Sequence, residues 1–257
     1  MKYNFDKKEH LHLLDDKPLT GTSSVGDVLS KNLVWWAAEL AAVECLEAGE
    51  KIPTIREEYL TAAASKDKKR AIDELQLKYP IFKKARFAHF AKKKEAAKTG
   101  VDLHSELEHF VKAKMGINPM RADYDAKIKP FIDWAEKEVK TFLWSEAHCF
   151  DEELWVGGIS DTGVELNNGN IAVIDFKSSQ KAYPNHFIQA GGYAIQIDKN
   201  GLWDCEGKMN KKLDKPISSL IIVPFGAEQI EPVIKYDVEG YKNGFKSAVV
   251  LYRLLNN

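Results

Sequence analysis

One change of residue pattern, near Thr141, constrains the fold of this chain more than any other feature. Residues 21–140 repeat apolar side chains at helical spacing, with Pro80, Gly100 and Gly116 as breaks. The segments after Thr141 are rich in β-branched and aromatic residues, and residues 167–170 form a turn sequence between two of them. Helices that are followed by a small set of strands with further helices predict a mixed α/β domain.

The predicted elements follow from these patterns and their breaks. Helices are expected over residues 33–48, 56–64, 67–79, 81–98, 101–115, 124–140, 184–197 and 238–255. Strands are expected over residues 142–150, 154–161, 171–177, 217–224 and 229–236.

The composition excludes several classes of protein. An apolar fraction of 44% and a charged fraction of 29% are typical of a globular protein. The three cysteines are far apart, which argues against a disulfide framework, a structural zinc site and a four-cysteine iron–sulfur cluster. The N-terminus is charged and lacks the apolar core of a secretory signal, and no apolar stretch is long enough to span a bilayer. We therefore expect a protein of the cytoplasm or a cytoplasm-like compartment, without a membrane partner.

The charge is unevenly distributed along the chain. Twelve Lys or Arg and four acids lie between Lys66 and Lys98, which gives this segment +8 and leaves −9 for the rest of a chain of net charge −1. Aromatic residues alternate with the basic ones over residues 80–98, as in single-strand binders, although aromatic residues at helical spacing also build cores. The basic side chains either contact phosphates or form a solvated face. The candidate nucleic-acid contacts are Lys83, Lys84, Arg86, Lys92, Lys93 and Lys94.

The strand predicted over residues 171–177 ends with an acid and a lysine on one face. The two-residue repeat of a strand places Asp175 and Lys177 on the same side. Burial of either charge alone is costly, whereas a divalent metal ion and a phosphate would make use of both. A surface strand end with a salt bridge is the competing interpretation.

Asp161 follows a pair of glycines, Gly157 and Gly158, in the preceding strand. Two carboxylates on neighbouring antiparallel strands can share Mg²⁺ or Mn²⁺, which prefer oxygen ligands. Such sharing requires a specific register, with Asp161 opposite Asp175 across a five-residue loop or opposite Lys177 across a three-residue loop. A turn with a capping aspartate is the alternative.

A histidine and two further acids extend the set of candidates. On a helical wheel His104 lies within the apolar sector of its helix, and Glu108 lies on the rim of that sector. A core histidine that bonds to a backbone carbonyl is the alternative to a metal ligand. Glu146 is a candidate additional acid, with a plain strand-edge charge as its alternative.

The helix predicted over residues 184–197 carries a polar pair and a pair of glycines. Gln189 and Tyr193 are four residues apart and share a face of the helix. Gly191 and Gly192 each cost about 1 kcal/mol of helix propensity relative to alanine, which indicates close packing against a strand or the backbone of a ligand.

The order of these residues resembles the RecB-like branch of the PD-(D/E)XK nuclease superfamily. The resemblance covers residues 100–193 and is to the phage and mitochondrial type of exonuclease without an iron–sulfur cluster. It implies an α/β fold with a restriction-endonuclease-like core over residues 100–257, a small mixed sheet flanked by helices. A helical N-terminal region, residues 1–99, would be part of this domain or pack on it. The matching residues are His104, Asp161, Asp175, Phe176, Lys177, Ser178, Ser179, Gln189 and Tyr193.

The resemblance also implies a role for each matching residue. One or two Mg²⁺ or Mn²⁺ ions would be held by the side chains of His104, Asp161 and Asp175 and by the Phe176 carbonyl. Lys177 would orient or help to deprotonate the attacking water. Gln189 and Tyr193 would steady the lysine and contact the DNA backbone. Ser178 and Ser179 would also contact DNA.

The expected function is therefore metal-dependent hydrolysis of DNA. An exonuclease on linear or single-stranded DNA in recombination, repair or replication is favoured, because no second DNA-binding domain is visible. A structure-specific endonuclease and a non-catalytic DNA-binding scaffold are the alternatives. No GxxxxGK phosphate loop occurs, so we expect no nucleotide cofactor, and any helicase partner would be a separate polypeptide, as would a single-strand annealing protein.

Overall fold

The computed structural model describes residues 2–29, 41, 52–226 and 230–256, without the side chains of residues 52–54, 82, 86 and 89–101. Two compact units divide the chain: Met1–Ser30 with Gly100–Asn257, and Lys31–Thr99. The helix predicted over residues 33–48 lies outside the described residues.

Strands begin the first unit. They are β1 (Tyr3–Asp6), β2 (Leu11–Leu14), β3 (Lys17–Pro18) and β4 (Thr20–Gly21), and helix α1 (Thr22–Asp27) follows. The expectation of a helical region over residues 1–99 is therefore wrong for residues 3–21. Tertiary packing explains the difference, because Tyr3 and Leu14 pair across β1 and β2 and are buried in a core cluster with Phe150.

Long helices follow, in agreement with the predicted pattern except at Gly100. They are α2 (Ile52–Ala63), α3 (Lys68–Lys78), α4 (Pro80–Lys114) and α5 (Lys129–Glu138), the last preceded by a 3₁₀ turn (Ala126–Ile128). The predicted break at Gly100 is wrong, since α4, a helix of 35 residues, continues through this position. A single glycine costs a helix only about 1 kcal/mol, which the neighbouring turns can offset.

One mixed sheet of mostly antiparallel strands forms the centre of the first unit. Its further strands are β5 (Val139–Asp151), β6 (Val156–Leu166), β7 (Ile171–Lys177), β8 (Leu202–Trp203), β9 (Met209–Lys211), β10 (Ser219–Pro224) and β11 (Val233–Lys235). They lie in the order β11-β10-β7-β6-β5-β8-β9, β4 pairs with β6, and β7 pairs in parallel with β10. The prediction of a mixed α/β fold is confirmed, and the predicted bounds of β7 coincide with those observed.

Helices pack on this sheet around two core clusters. The connection from β7 to β10 contains α6 (Pro184–Asn200), and α7 (Val238–Asn256) ends the described chain. Alternation along β7 separates the clusters, since Ile174 packs in the cluster with Leu107 of α4 and Val173 packs in the cluster with Ala194 of α6. The sheet therefore has a helix-covered core on each face.

The two glycines of α6 are places of close contact between helices. A Cβ atom on Gly191 would lie 2.7 Å from the backbone carbonyl of Tyr241 in α7, and one on Gly192 would lie 2.5 Å from the ring of Phe245. Close packing was predicted, but its partner is helix α7 and not a strand or a ligand. Glycine is needed here because a side chain would push α6 away from α7.

Candidate active site

Three side chains that can bind a metal ion converge from three elements of the first unit. His104 comes from α4, Glu146 from β5 and Asp161 from β6. His104 Nε2 lies 3.6 Å from Asp161 Oδ2 and 4.0 Å from Glu146 Oε1. One ligand atom from each residue lies within 4.8 Å of the other two. An imidazole and two carboxylates at this spacing have the chemistry to hold a divalent cation.

The register between β6 and β7 brings Asp161 to the end of β7. Thr162 lies opposite Ile174 and Glu165 lies opposite Ile171, so continuation of the register places Asp161 opposite Asp175. This is one of the two registers that the sequence required, and the last pair, Glu165 with Ile171, encloses the predicted five residues, 166–170. The carboxylate of Asp161 accepts a hydrogen bond from the backbone N–H of Phe176, with an N···O distance of 2.7 Å.

Asp175 and Lys177 form a buried ion pair at the end of β7. Lys177 Nζ lies 2.8 Å from Asp175 Oδ2, and the Asp175 side chain is only 3% exposed. Burial raises the pKa of Asp175 to about 6, although Lys177 opposes this change. Burial lowers the pKa of Lys177, but Asp175 and Asp161 raise it by more, so the lysine stays charged. The competing interpretation of a surface salt bridge at the strand end is therefore right about the pairing of the two charges and wrong about Asp175, which is buried.

A hydrogen-bonded chain fixes Lys177 from helix α6. Lys177 Nζ donates to Gln189 Oε1 at 3.0 Å, and Gln189 Nε2 donates to the Tyr193 hydroxyl at 3.0 Å. Burial raises the pKa of Tyr193 well above its usual value, so its hydroxyl stays protonated. Gln189 and Tyr193 thus lie where they can steady the lysine, as the resemblance implied, while their contact with DNA stays a prediction.

Glu146 is the residue whose position the sequence revealed least. Its φ of 50° is in the left-handed region, which a non-glycine residue adopts at a cost of about 1–3 kcal/mol. The alternation of side chains between the two faces of β5 is interrupted here, because Trp144 and Ala147 are three residues apart and both pack in the core cluster that contains residues of α6. Burial, and then the charge of Asp161, raise the pKa of Glu146 to about 7. The strand-edge alternative is wrong, because the Glu146 side chain is 31% exposed and faces His104 and Asp161.

His104 is half-buried beside the sheet. Its ring lies edge-on to the ring of Phe176, with centroids 5.7 Å apart. The neighbouring carboxylate of Asp161 raises the pKa of His104, and burial opposes this change. Glu108, one turn away on α4, forms an ion pair with Lys112 and does not belong to the group of three.

Helix α1 supplies neighbours of the site that the sequence did not assign. Thr22 Oγ1 accepts a hydrogen bond from Gln196 Nε2 of α6 at 2.8 Å. A Cβ atom on Gly158 would lie 2.8 Å from both Thr22 Oγ1 and the Tyr193 ring, so this glycine lets β6, α1 and α6 approach one another. The charge of Asp27 contributes to the raised pKa of Lys177.

The remaining predicted DNA contacts are only partly described. Ser178 is exposed, and Ser179 Oγ donates to the Lys181 carbonyl at 2.8 Å. Lys83 and Lys84 are exposed residues of the second unit. The side chains predicted at positions 86 and 92–94 lie outside the described residues. None of these residues belongs to the group of three side chains, in the described part of the chain, that could hold a metal ion.

Comparison with known proteins does not assign the chain to a family. The sequence matches no protein-family model and no curated protein. Among the described residues, no helix is both long enough and apolar enough to cross a membrane.

Under the hypothesis of DNA hydrolysis that the sequence suggests, replacement of Gln189 by methionine is expected to lower kcat for DNA cleavage by about 10- to 100-fold. The substitution removes the acceptor of Lys177 while keeping the length of the side chain, and small displacements of a catalytic group have effects of this size. Single-turnover cleavage of an end-labelled oligonucleotide measures the loss. Tyr193→Phe is the matched variant and should lose less activity, because it leaves the Lys177–Gln189 bond in place. A larger loss in Tyr193→Phe would contradict the chain of contacts.

Proposed function

We propose that this chain is a divalent-metal-dependent deoxyribonuclease, an exonuclease that acts on linear or single-stranded DNA. The observation that carries the proposal is a half-buried lysine, Lys177, held between the buried Asp175 and Gln189 beside the group formed by His104, Glu146 and Asp161. Burying an ion pair beside two further acids is costly unless the charges have a use. Strongly shifted pKa values with specific charged partners are common at functional sites.

The donor set fits a hard divalent ion. Carboxylate oxygens are the ligands that Mg²⁺ and Mn²⁺ prefer, and an added imidazole is compatible with Mn²⁺. His104, Asp161 and Asp175 would hold it, together with the Phe176 carbonyl, as the resemblance implies. A bound ion would stabilise negative charge on the phosphate oxygens and would lower the pKa of a water molecule bound to it.

The protein's own groups would position the nucleophile and the scissile phosphate. Lys177 would donate to the attacking water or to a phosphate oxygen from a position fixed by Gln189 and Tyr193. Asp161 is itself fixed, because it accepts the Phe176 N–H. A rigid set of donors that needs little rearrangement is the arrangement that stabilises a transition state in which charge develops.

DNA is proposed as the substrate because a basic segment accompanies a site suited to phosphate chemistry. The segment from Lys66 to Lys98 has a net charge of +8, whereas the rest of the chain has a net charge of −9, which gives −1 for the whole chain. Neutralised phosphates release counterions, which gives affinity for nucleic acid without sequence preference. The requirement for DNA ends in this proposal is carried over from the resemblance to exonucleases.

Digestion of matched substrates by the full-length protein tests this function. Linear single-stranded and duplex DNA should be degraded to short products in Mg²⁺ or Mn²⁺, and EDTA should stop the reaction. Calcium should bind without supporting turnover, since its looser coordination positions water poorly. Covalently closed duplex circles should survive. Rapid nicking of closed circles would favour the structure-specific endonuclease, and binding without any cleavage would favour a non-catalytic scaffold.

A further inference from the structure

The side chain of Glu146 lies beside another acid in the candidate active site, with little to compensate its charge. Among the ion pairs of the described residues, its partner is His104, with Nε2 and Oε1 4.0 Å apart. The same imidazole lies closer to Asp161, at 3.6 Å. One histidine thus faces two carboxylates, and a divalent cation is the kind of group that would neutralise both.

The backbone of β5 is distorted where this side chain is placed. Glu146 has a φ of 50°, a conformation that favours glycine, asparagine or aspartate over glutamate. Ser145 and Ala147 pair with Thr162 and Ser160 of β6, so this outlier lies between two paired residues and opposite Asp161, and the register of β5 also shifts just before it, between Phe142 and Trp144. Backbone outliers of this kind cluster at functional sites.

The acid on the other side of Asp161 is already engaged. Asp175 on β7 is 3% exposed and forms its ion pair with Lys177 at 2.8 Å. It is not one of the three residues whose ligand atoms lie within 4.8 Å of one another. Glu146 is therefore the acid that completes the group with His104 and Asp161.

We propose that Glu146, in place of the Asp175 that the resemblance implies, is a direct side-chain ligand of the divalent ion, together with His104 and Asp161. This inference rests on the proposed function only in requiring that the site binds such an ion. Three protein ligands leave further positions for water and a phosphate oxygen, as a catalytic rather than a structural metal site requires. The distorted backbone of β5 is the device that brings Glu146 into this set.

Binding of Mn²⁺ to the full-length protein, followed by electron paramagnetic resonance and by calorimetric titration, tests the assignment. Glu146→Gln keeps the shape of the side chain and removes its charge, and it should weaken Mn²⁺ binding by at least about tenfold. Glu108→Gln is the matched control, because Glu108 pairs with Lys112 and lies outside the group, and its affinity should stay within about twofold of wild type. Equal affinity in Glu146→Gln and wild type would overturn the inference and leave the proposed function standing. Absence of Mn²⁺ binding in the wild type would overturn both.

Melting temperature separates a ligand from a structural residue. Without metal, Glu146→Gln should melt no lower than wild type, because it removes a charge next to Asp161, but Mn²⁺ should raise its melting temperature less. Glu146→Gly is the second variant, since glycine adopts this φ without strain, and it should show the same smaller response to Mn²⁺. If both variants melt lower without metal and keep the full Mn²⁺ response, Glu146 has a structural role and the proposal is wrong.

Discussion

Replacement of Lys177 by methionine is expected to lower the rate of DNA hydrolysis by about 10²- to 10⁴-fold, the usual contribution of a positioned acid–base group. The lysine is held by Asp175 at 2.8 Å and by Gln189 at 3.0 Å, so methionine fills the space and loses only the charged donor. Without the ammonium group, water or a phosphate oxygen at the site loses its fixed partner. Single-turnover cleavage of end-labelled DNA in Mn²⁺ measures the effect.

The controls distinguish chemistry from folding. Lys208→Met changes an exposed lysine in the turn between β8 and β9 and should cleave like wild type. Asp175→Asn should be as inactive as Lys177→Met, because it removes the other half of the pair. Circular dichroism and gel filtration should show folded protein in all three variants. Substantial cleavage by folded Lys177→Met at matched purity would remove Lys177 from the catalytic role and, with it, the main support for a nuclease.

Replacement of Gly191 by alanine is expected to reduce the free energy of unfolding by about 1–3 kcal/mol, the usual cost of overpacking. The new Cβ would lie 2.7 Å from the carbonyl carbon and oxygen of Tyr241 and 2.9 Å from the backbone nitrogen of Lys242. A backbone cannot rotate away as a side chain can, so α6 and α7 must separate. The gain in helix propensity from alanine, about 1 kcal/mol, offsets only part of this cost.

A second glycine at the same helix pair provides the control. A Cβ atom on Gly244 would meet Ile188 Cγ1 at 3.4 Å, an ordinary contact with a flexible side chain. Gly244→Ala should therefore leave stability unchanged or increase it by up to about 1 kcal/mol. Urea unfolding of both variants, compared with wild type, gives the difference directly. Equal stability of the two variants would show that α6 and α7 pack less closely than described.

Local periodicity predicted the parts of the site that lie within one element. The bounds of β7 and the start of α6 follow from their residue patterns, and these patterns place Asp175 with Lys177 and Gln189 with Tyr193. The two-residue repeat of a strand and the four-residue spacing of a helix are properties of short segments, so they can be read without the tertiary structure.

Predictions from local residue patterns were wrong where contacts between residues distant in the sequence contribute more to stability than local preference does. Helix α4 passes Gly100 because the cost of one glycine is small, and residues 3–21 form strands because Tyr3 and Leu14 find partners in the core. In both cases the outcome depends on packing energies of several residues together, which a single breaker or a charged N-terminus does not reveal.

The sequence by itself determined which chemical groups are present and the face of β7 and of α6 that carries them. Only the tertiary structure decided which acids surround His104. The sequence narrowed the register of β6 against β7 to two solutions, and the pairing in the folded sheet selects the one with Asp161 opposite Asp175. The approach of Glu146 to Asp161 had no local signal, because a left-handed glutamate opposes intrinsic preference and is held by the strand pairing on both sides of it.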